Sequence, residues 1–232
     1  MLYFKKLNST NDYLKEHVDE LDNFECVYAD EQLKGRGRTG HTWESFAKKN
    51  AMFSILVKEK EIIDNFNLVS IVTGVTIANF LDVLGLKNVS LKWPNDVYVD
   101  SKKICGILLE GSIPDYIIIG IGLNVNQTVF KHFEATSIQL ELGDKFDIKT
   151  LIFDLHELIV HNYRQIAKYG PSFIKEYEEY DFLKDKEISF IYNGEERRGI
   201  AKGIDTDGSL KVLIDKNLIK INSNEVNLIR PE

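Results

Sequence analysis

Residues 35–40, Gly-Arg-Gly-Arg-Thr-Gly, combine three glycines with two arginines. Glycines let a backbone approach a ligand closely, and the guanidinium groups of Arg36 and Arg38 fit the geometry of carboxylates and phosphates. This composition predicts a mobile loop that orders over an anion when the ligand binds. The alternative is a solvated turn whose arginines contact no ligand.

The glycine spacing of this loop also occurs in two nucleotide-binding folds, and both can be excluded. A dinucleotide-binding fold needs an apolar strand before the glycines and a helix after them. Here residues 30–34 are mostly polar and residues 41–50 show no helical stripe. A protein kinase needs H-R-D and D-F-G later in the chain, and the sequence contains neither motif.

Residues 91–96, Leu-Lys-Trp-Pro-Asn-Asp, form a second unusual segment. Pro94 ends strand pairing, so Asn95 and Asp96 are expected at a strand terminus, where binding sites form. The alternative is that Trp93 anchors the core and that Asn95 and Asp96 are ordinary turn residues.

Lys103 opens the next apolar strand and shares the alternation of Cys105 and Ile107. A lysine in this position could supply positive charge to a bound anion, whereas the commoner case is a solvated hairpin lysine. The following strand, residues 116–126, has branched residues at its odd positions and Gly120, Gly122 and Asn124 at even ones. This face predicts a trough that admits a ligand or another backbone, or alternatively a tight bend.

The elements that must position these residues alternate between strand and helix patterns. Strands are predicted at residues 2–7, 25–29, 51–57, 89–93, 97–99, 103–110 and 116–125, with helices from Ser9, over residues 68–81 and over residues 149–168. Pro171 is expected in the first turn of a further helix. The fold class is therefore α+β, with a mixed, largely antiparallel sheet packed with helices.

A change in the sequence pattern near residue 185 predicts a second, smaller domain. Short strands there are separated by turn signals such as Asn193-Gly194 and Asp207-Gly208, as in a small β-barrel. We therefore divide the chain into domains 1–184 and 185–232.

Composition limits the classes of partner and the compartment. The net charge of -7 disfavours binding to nucleic acid or other polyanions. Cys26 and Cys105 lie in apolar runs and lack the spacing of disulfide frameworks or zinc sites. We see no secretion signal and no apolar run of about 18 residues, so a cytoplasmic protein without a membrane span is expected.

Taken together, these segments resemble the biotin protein ligase family in order and spacing over residues 7–126. The matching residues are Ser9-Thr10-Asn11, Gln32, Gly35-Arg36-Gly37-Arg38, Trp43, Lys92-Trp93-Pro94-Asn95-Asp96, Lys103, Gly106, Glu110 and Gly120-Ile121-Gly122-Leu123-Asn124. The resemblance implies a class II synthetase-like catalytic domain followed by an SH3-like barrel. It also implies an enzyme that makes biotinyl-5′-AMP from biotin and ATP and transfers biotin to a lysine of a biotin carboxyl carrier protein, part of acetyl-CoA carboxylase or a related carboxylase.

The resemblance further implies which residues act. Biotin would contact Ser9, Thr10, Asn11, Gln32, Gly35, Arg36, Gly37, Arg38, Lys103 and Gly106. The nucleotide would contact Trp43, Asn95, Lys103 and Asn124. The catalytic groups would be Lys103, Arg36, Arg38 and Asp96, the last placed where the incoming lysine amine arrives. ATP with Mg²⁺ would be a co-substrate, with no protein-bound metal and no tightly bound cofactor.

One departure and several alternatives accompany the resemblance. Thr39 and His41 stand where relatives often carry basic residues, so a weaker grip on phosphate is expected. The chain starts close to the first catalytic strand, which indicates a short form without an N-terminal DNA-binding domain, with no DNA partner. A homodimer is compatible with the resemblance. The alternative functions are a lipoate protein ligase and a non-catalytic biotin or adenylate sensor.

Overall fold

The fold contains two β-sheets, seen in a computed structural model that describes residues 1–40, 42–43, 46–130, 134–192 and 194–231. The first sheet has seven strands in the order β1-β2-β3-β7-β6-β5-β4. They are β1 (Leu2–Phe4), β2 (Cys26–Ala29), β3 (Asn50–Val57), β4 (Val89–Lys92), β5 (Asp96–Val99), β6 (Lys102–Ser112) and β7 (Tyr116–Asn124). Among these, β1 and β2 pair in parallel and the other neighbours are antiparallel, which confirms the predicted mixed sheet.

The described residues form six α-helices, of which several pack on this sheet. They are α1 (Thr10–Glu16), α2 (Lys60–Ile63), α3 (Phe66–Leu84), α4 (Ile138–Leu142), α5 (Ile148–Tyr163) and α6 (Ile166–Tyr180). α3 contacts α5, α6 and strands β4, β5 and β6, while α1 packs on β2, β3 and β7. Because β3 is central and covered on both faces, each of its eight residues is buried, which explains its continuous apolar sequence.

α3 corrects the expectation that no segment is apolar enough to cross a bilayer. Its 19 residues pass that test by length and composition alone. Eleven of them are buried in the protein, and the helix packs on both the sheet and neighbouring helices. Its apolar character is therefore that of a core helix.

The second sheet is small and entirely antiparallel among its described strands. It has the order β11-β10-β9-β8-β12, formed by β8 (Glu187–Tyr192), β9 (Glu195–Ile204), β10 (Leu210–Ile214), β11 (Asn217–Ile221) and β12 (Val226–Pro231). This arrangement agrees with the predicted SH3-like barrel. Asn193 of the predicted turn lies outside the described residues, and the boundary at residue 185 stays a prediction.

Some local predictions were wrong in their limits. The first strand ends at Phe4, three residues early, and α1 ends at Glu16, so Val18 and Leu21 pack on the core from outside a helix. Pro171 lies inside α6, whose start at Ile166 precedes it by five residues. Periodicity predicts which residues face the core better than it predicts where an element stops.

The two cysteines occupy the core, as expected. Cys26 and Cys105 are free and buried. Burial raises the pKa of Cys26 to about 12 and raises the pKa of Cys105 as well. Both thiols therefore stay protonated at neutral pH and act as packing residues.

Candidate active site

A cavity of about 590 Å³ brings together the segments that the sequence singled out. Its wall is formed by the start of α1, the arginine loop, the facing strands β5, β6 and β7, and two apolar residues of the second sheet, Val226 and Ile229. A volume of this size suits a small-molecule ligand.

Most predicted site residues line this cavity. They are Ser9, Thr10, Asn11, Gln32, Arg36, Gly37, Arg38, Trp43, Asn95, Asp96, Lys103 and Gly106. Gly35 and Asn124 do not belong to the lining. A Cβ atom at Gly35 would lie 2.9 Å from the carbonyl oxygen of Trp43, and the Asn124 side chain donates to the carbonyl of Thr136 at 3.0 Å. Both residues therefore shape the site from behind its wall.

The start of α1 supplies a polar end to the cavity. Ser9 is the N-cap of the helix, and its hydroxyl accepts the amide proton of Asp12 at 3.4 Å. The next residue, Thr10, donates its backbone N–H to Gln32 Oε1 at 2.7 Å. Ser9 and Thr10 are both buried, so the cap holds two hydroxyl groups at a fixed place in the wall.

Arg36 is already paired with carboxylates, contrary to the expectation of an arginine waiting for an anion. Its guanidinium lies 2.7 Å from Asp12 and 3.1 Å from Glu110. The hydrogen bond to Asp12 is the main cause that raises the pKa of Arg36, and Glu110 adds to it. Glu110 also accepts a 2.6 Å hydrogen bond from Asn11. The Arg36 guanidinium is therefore occupied by carboxylates of the protein, and it stabilises this part of the cavity wall.

Arg38 connects the loop to the second sheet. It donates to the carbonyl oxygens of Ser223 and Val226, the latter at 3.2 Å. Burial lowers the pKa of Arg38, and the nearby Asp96 carboxylate opposes that shift. His41 of the same loop lies outside the described residues, so the expected weakening of phosphate contact there stays a prediction.

Lys103 reaches the cavity through a β-bulge, and the simple alternation predicted for it was wrong. Val97 pairs with Cys105 while Tyr98 pairs with Lys103, which leaves Ile104 as an extra residue. As a result Ile104 and Cys105 are both fully buried, and the Lys103 side chain lies over Gly106. Its ammonium is 2.7 Å from the Asp96 carboxylate.

The glycine trough exists, and side chains of the same chain lie in it. Gly106 and Gly122 are register partners, and Trp43 lies over both of them. A Cβ atom at Gly122 would be 2.5 Å from Trp43 Cε2, and one at Gly120 would be 2.4 Å from Asn11 Oδ1. The glycines therefore leave room for the side chains of Trp43 and Asn11, and these side chains line the cavity.

The segment around Pro94 combines the two alternatives raised from its sequence. Trp93 is a core residue, only 2% exposed, and its indole N–H donates to the carbonyl oxygen of Gly208 at 2.9 Å. Gly208 lies between β9 and β10 of the second sheet. Asn95 is held by a 2.8 Å hydrogen bond to the carbonyl of Ile107. Asp96 begins β5 and faces the cavity, where it meets Lys103.

Several lining or supporting residues were missed as site residues. Lys92 lines the cavity, where burial lowers its pKa, Asp96 opposes the shift and Lys103 adds to it. Ser54, buried in β3, hydrogen-bonds to both Thr10 and Asn11. A hydroxyl inside an otherwise apolar strand was a signal for Ser54, whereas the sequence carried none for Val226 and Ile229.

Comparisons with known proteins find similarity along most of the chain. Residues 3–124 match the biotin/lipoate A/B protein ligase family, and residues 185–228 match the biotin protein ligase C terminal domain. The bifunctional ligase/repressor BirA of Escherichia coli is 30% identical over 212 residues, which cover 88% of this chain and 66% of that protein. The chain thus spans just under two thirds of the length of that relative.

Two further similarities extend over nearly whole chains. The biotin--[acetyl-CoA-carboxylase] ligase of Paracoccus denitrificans is 28% identical, with coverage of 88% of this chain and 90% of that protein. The structure of the biotin protein ligase from Aquifex aeolicus in complex with biotin and ATP superposes with a TM-score of 0.90 at 29% identity. That match covers 100% of this chain and 98% of the other.

Proposed function

The chain belongs to the biotin/lipoate A/B protein ligase family, and we propose that within it this protein is an ATP-dependent biotin protein ligase. In the first step the biotin carboxylate attacks the α-phosphorus of ATP, which releases pyrophosphate and forms biotinyl-5′-AMP. In the second step a lysine amine of a biotin carboxyl carrier protein attacks the acyl carbon, which forms an amide and releases AMP.

The observation that carries this proposal is one cavity that joins a hydrogen-bonding end to a cationic group. Asn11 lies over Gly120, while Lys103 lies over Gly106, the register partner of Gly122. Gly120 and Gly122 are one two-residue step apart on the same strand face, about 7 Å. An elongated ligand with a polar head and a carboxylate tail fits this separation.

We assign the ureido head of biotin to Ser9, Thr10 and Gln32, with Asn11, Arg36, Gly35 and Gly37 supporting that part of the wall. The buried hydroxyl groups of Ser9 and Thr10 favour a head with hydrogen-bonding atoms. The dithiolane head of lipoate has no strong hydrogen-bonding atom, so it would add no partner to these hydroxyls beyond the protein groups Asp12, Ser54 and Gln32 that they already contact. The wall therefore supports biotin over lipoate.

The second part of the assignment concerns charge. Lys103 would contact the biotin carboxylate and then the transferring phosphate, with Arg38 nearby to neutralise developing negative charge. Trp43 and Asn95 would line the adenine side, while the position of Asn124 behind the wall gives no support to its expected contact with adenine. Asp96, beside Lys103, would receive the incoming lysine amine and help it to lose a proton.

Mg²⁺ is proposed as part of the nucleotide substrate. Among the described residues no group of three or more His, Cys, Asp and Glu side chains is arranged to hold a metal ion. The proposed ion would be carried by the phosphates of ATP, keep most of its water and need few protein ligands. The ion would supply charge neutralisation at the phosphates.

We further propose the cytoplasm as the location, because ATP and carrier proteins of carboxylases are the implied substrates. The net charge of -7 supports a protein partner over DNA or an anionic membrane surface. A homodimer remains compatible with these assignments.

The test incubates the purified protein with MgATP and either biotin or lipoate, and follows the acyl-adenylate by mass spectrometry. We expect biotinyl-5′-AMP, no lipoyl-adenylate, and a biotin mass increment on an added carrier domain. A reaction without ATP is the control. Exclusive formation of the lipoyl product would identify a lipoate ligase, and biotin binding without adenylate would identify a sensor.

A further inference from the structure

A continuous hydrogen-bond chain runs behind the polar end of the cavity. Arg36 donates to Glu110 at 3.1 Å, and Asn11 Nδ2 donates to the same carboxylate at 2.6 Å. Asn11 Oδ1 lies 2.5 Å from the Ser54 hydroxyl, which lies 2.6 Å from the Thr10 hydroxyl. Ser54 is fully buried in β3 and does not line the cavity, so it acts on a ligand only through its neighbours.

The direction of each proton in this chain follows from the chemistry of the groups. A carboxylate paired with an arginine only accepts, so Asn11 must turn its NH₂ group to Glu110. The other amide atom, Oδ1, also only accepts, and it faces Ser54. The single hydroxyl proton of Ser54 is therefore donated to Asn11.

The same reasoning fixes the neighbouring hydroxyl. Because Ser54 has no second proton, Thr10 must donate the hydrogen bond that joins the two oxygens. The competing acceptor, Gln32 Oε1, is farther from the Thr10 hydroxyl, at 3.1 Å, and already accepts the Thr10 backbone N–H at 2.7 Å. The Thr10 oxygen then offers only lone pairs to the cavity that it lines.

We propose that Ser54 is a positioning residue that fixes Thr10 as a hydrogen-bond acceptor for an N–H group of the biotin ureido ring. This inference rests on the proposed function, because a ureido ring presents N–H donors at its edge. Without the Ser54 hydroxyl, the Thr10 proton is free to turn toward Gln32 or into the cavity. A Thr10 proton that points into the cavity would face the ligand N–H. Two donors would then oppose each other, and the hydrogen bond to the ligand would be lost.

A double-mutant cycle tests this role. The dissociation constant for biotin is measured by calorimetry for the native protein, Ser54→Ala, Thr10→Val and the double variant, together with kcat for adenylate formation. We expect Ser54→Ala to weaken binding about 3- to 10-fold, the scale of one hydrogen bond. In the Thr10→Val background the same change should cost less than about 2-fold, because no hydroxyl remains to orient. At saturating biotin, Ser54→Ala should change kcat for adenylate formation by less than about 2-fold.

Ser137→Ala is the matched control, because Ser137 is also fully buried and its hydroxyl accepts a hydrogen bond, from Leu140 N–H at 3.2 Å. It should lower the melting temperature and leave biotin binding unchanged. If Ser54→Ala does not fold, Ser54→Cys, which keeps a weak donor, replaces it in the cycle with an expected loss of about 2- to 5-fold.

Each remaining outcome has a defined meaning. Unchanged biotin binding in Ser54→Ala, or an equal loss with and without Thr10, would overturn the inference while the native activity leaves the proposed function standing. Failure of the native protein to bind biotin would remove both.

Discussion

The ammonium of Lys103 and the carboxylate of Asp96 approach to 2.7 Å, so the cation proposed for catalysis is paired before any ligand arrives. Both side chains are partly buried, 24% and 19% exposed, which strengthens their attraction relative to a surface pair. A ligand carboxylate must share or displace this partner. The pair would thus couple the group proposed to neutralise the phosphate to the group proposed to receive the lysine amine.

Replacement of Lys103 by methionine should slow biotinyl-adenylate formation more than other substitutions of similar size. The change keeps much of the stem and removes the charge, which should cost roughly 2–4 kcal/mol of transition-state stabilisation, or about 30- to 1,000-fold in rate. Single-turnover measurement of the adenylate provides the check. Lys102→Met is the control, since Lys102 is exposed and does not line the cavity. Equal rates for the two variants would contradict the role of Lys103.

At the residue scale, the sequence predicted which side chains line the cavity better than it predicted which groups they contact. Lys103, Asp96 and Arg36 were all expected at the site and all line the cavity. Their partners could not be predicted, because Asp12 and Glu110, which bind Arg36, are 24 and 74 residues away from it in the chain. Pairing between distant charged residues depends on the complete fold.

At the scale of elements, the bulge in β6 shows where periodicity stops being informative. Strict alternation assigns Lys103 to the face of Cys105, whereas one extra residue, Ile104, moves it to the face of Gly106. A bulge leaves the composition of a strand almost unchanged, so the pattern of apolar residues does not reveal it. The glycine face of β7 was predicted, but alternation could not tell that Trp43 and Asn11 lie on it.

Gly122→Ala should displace Trp43 and weaken nucleotide binding. The new Cβ atom would lie 2.5 Å from Trp43 Cε2, so the indole must move away from β7. Aromatic stacking on a nucleobase contributes about 1–3 kcal/mol, and partial loss predicts a rise of about 10-fold in the KM for ATP. Steady-state kinetics with varied ATP measure it.

Gly74→Ala is the control for that substitution. It places a methyl group in α3 at an ordinary contact distance, 3.4 Å from Leu91. Removal of a helix glycine should raise the free energy of unfolding by about 0.5–1 kcal/mol without changing the KM. If both glycine variants bind ATP as the native protein does, Trp43 does not contact the nucleotide.

The end of α6 carries a pH-dependent contribution to stability. Asp181 caps this helix, and burial is the main cause that raises its pKa. An acid with a raised folded-state pKa contributes its full stability below the unfolded value, near 3.9, and loses it as the pH rises through the folded value. Asp181→Asn should therefore be more stable than the native protein at pH 7, and the difference should shrink toward pH 4.

Chemical denaturation at several pH values measures this difference. Asp185→Asn is a control of opposite sign, because the hydrogen bond from Lys202 lowers the pKa of Asp185 and stabilises its charged form. That variant should lose stability at neutral pH and not under acid conditions. Parallel pH profiles for the native protein and Asp181→Asn would exclude the effect of burial.

For the whole molecule, the two sheets form one continuous apolar core. One cluster of buried residues contains Trp93, which follows β4 of the first sheet, together with Phe190 and Leu210 of the second sheet. The Arg38 contact with Ser223 spans 185 residues of sequence. The change in sequence pattern near residue 185 predicted the small antiparallel sheet, but it could not predict that this sheet shares the core and completes the cavity wall.

Ile229→Ala should show whether the second sheet contributes to nucleotide binding. Ile229 is buried and lines the cavity, in the same strand as Arg230. Burial is the main cause that lowers the pKa of Lys92, and the charge of Arg230 adds to it, which places this strand near the cavity lysine. Loss of apolar contact with the adenine side should cost about 1 kcal/mol and raise the KM for ATP about 5-fold, with little change for biotin.

Ile221→Ala is the matched control, because Ile221 is fully buried in the same sheet and does not line the cavity. Both variants should lose about 2–5 kcal/mol of stability, so kinetics are compared well below their melting temperatures. An equal KM for ATP in the two variants would mean that the second sheet supports the fold without contacting the nucleotide.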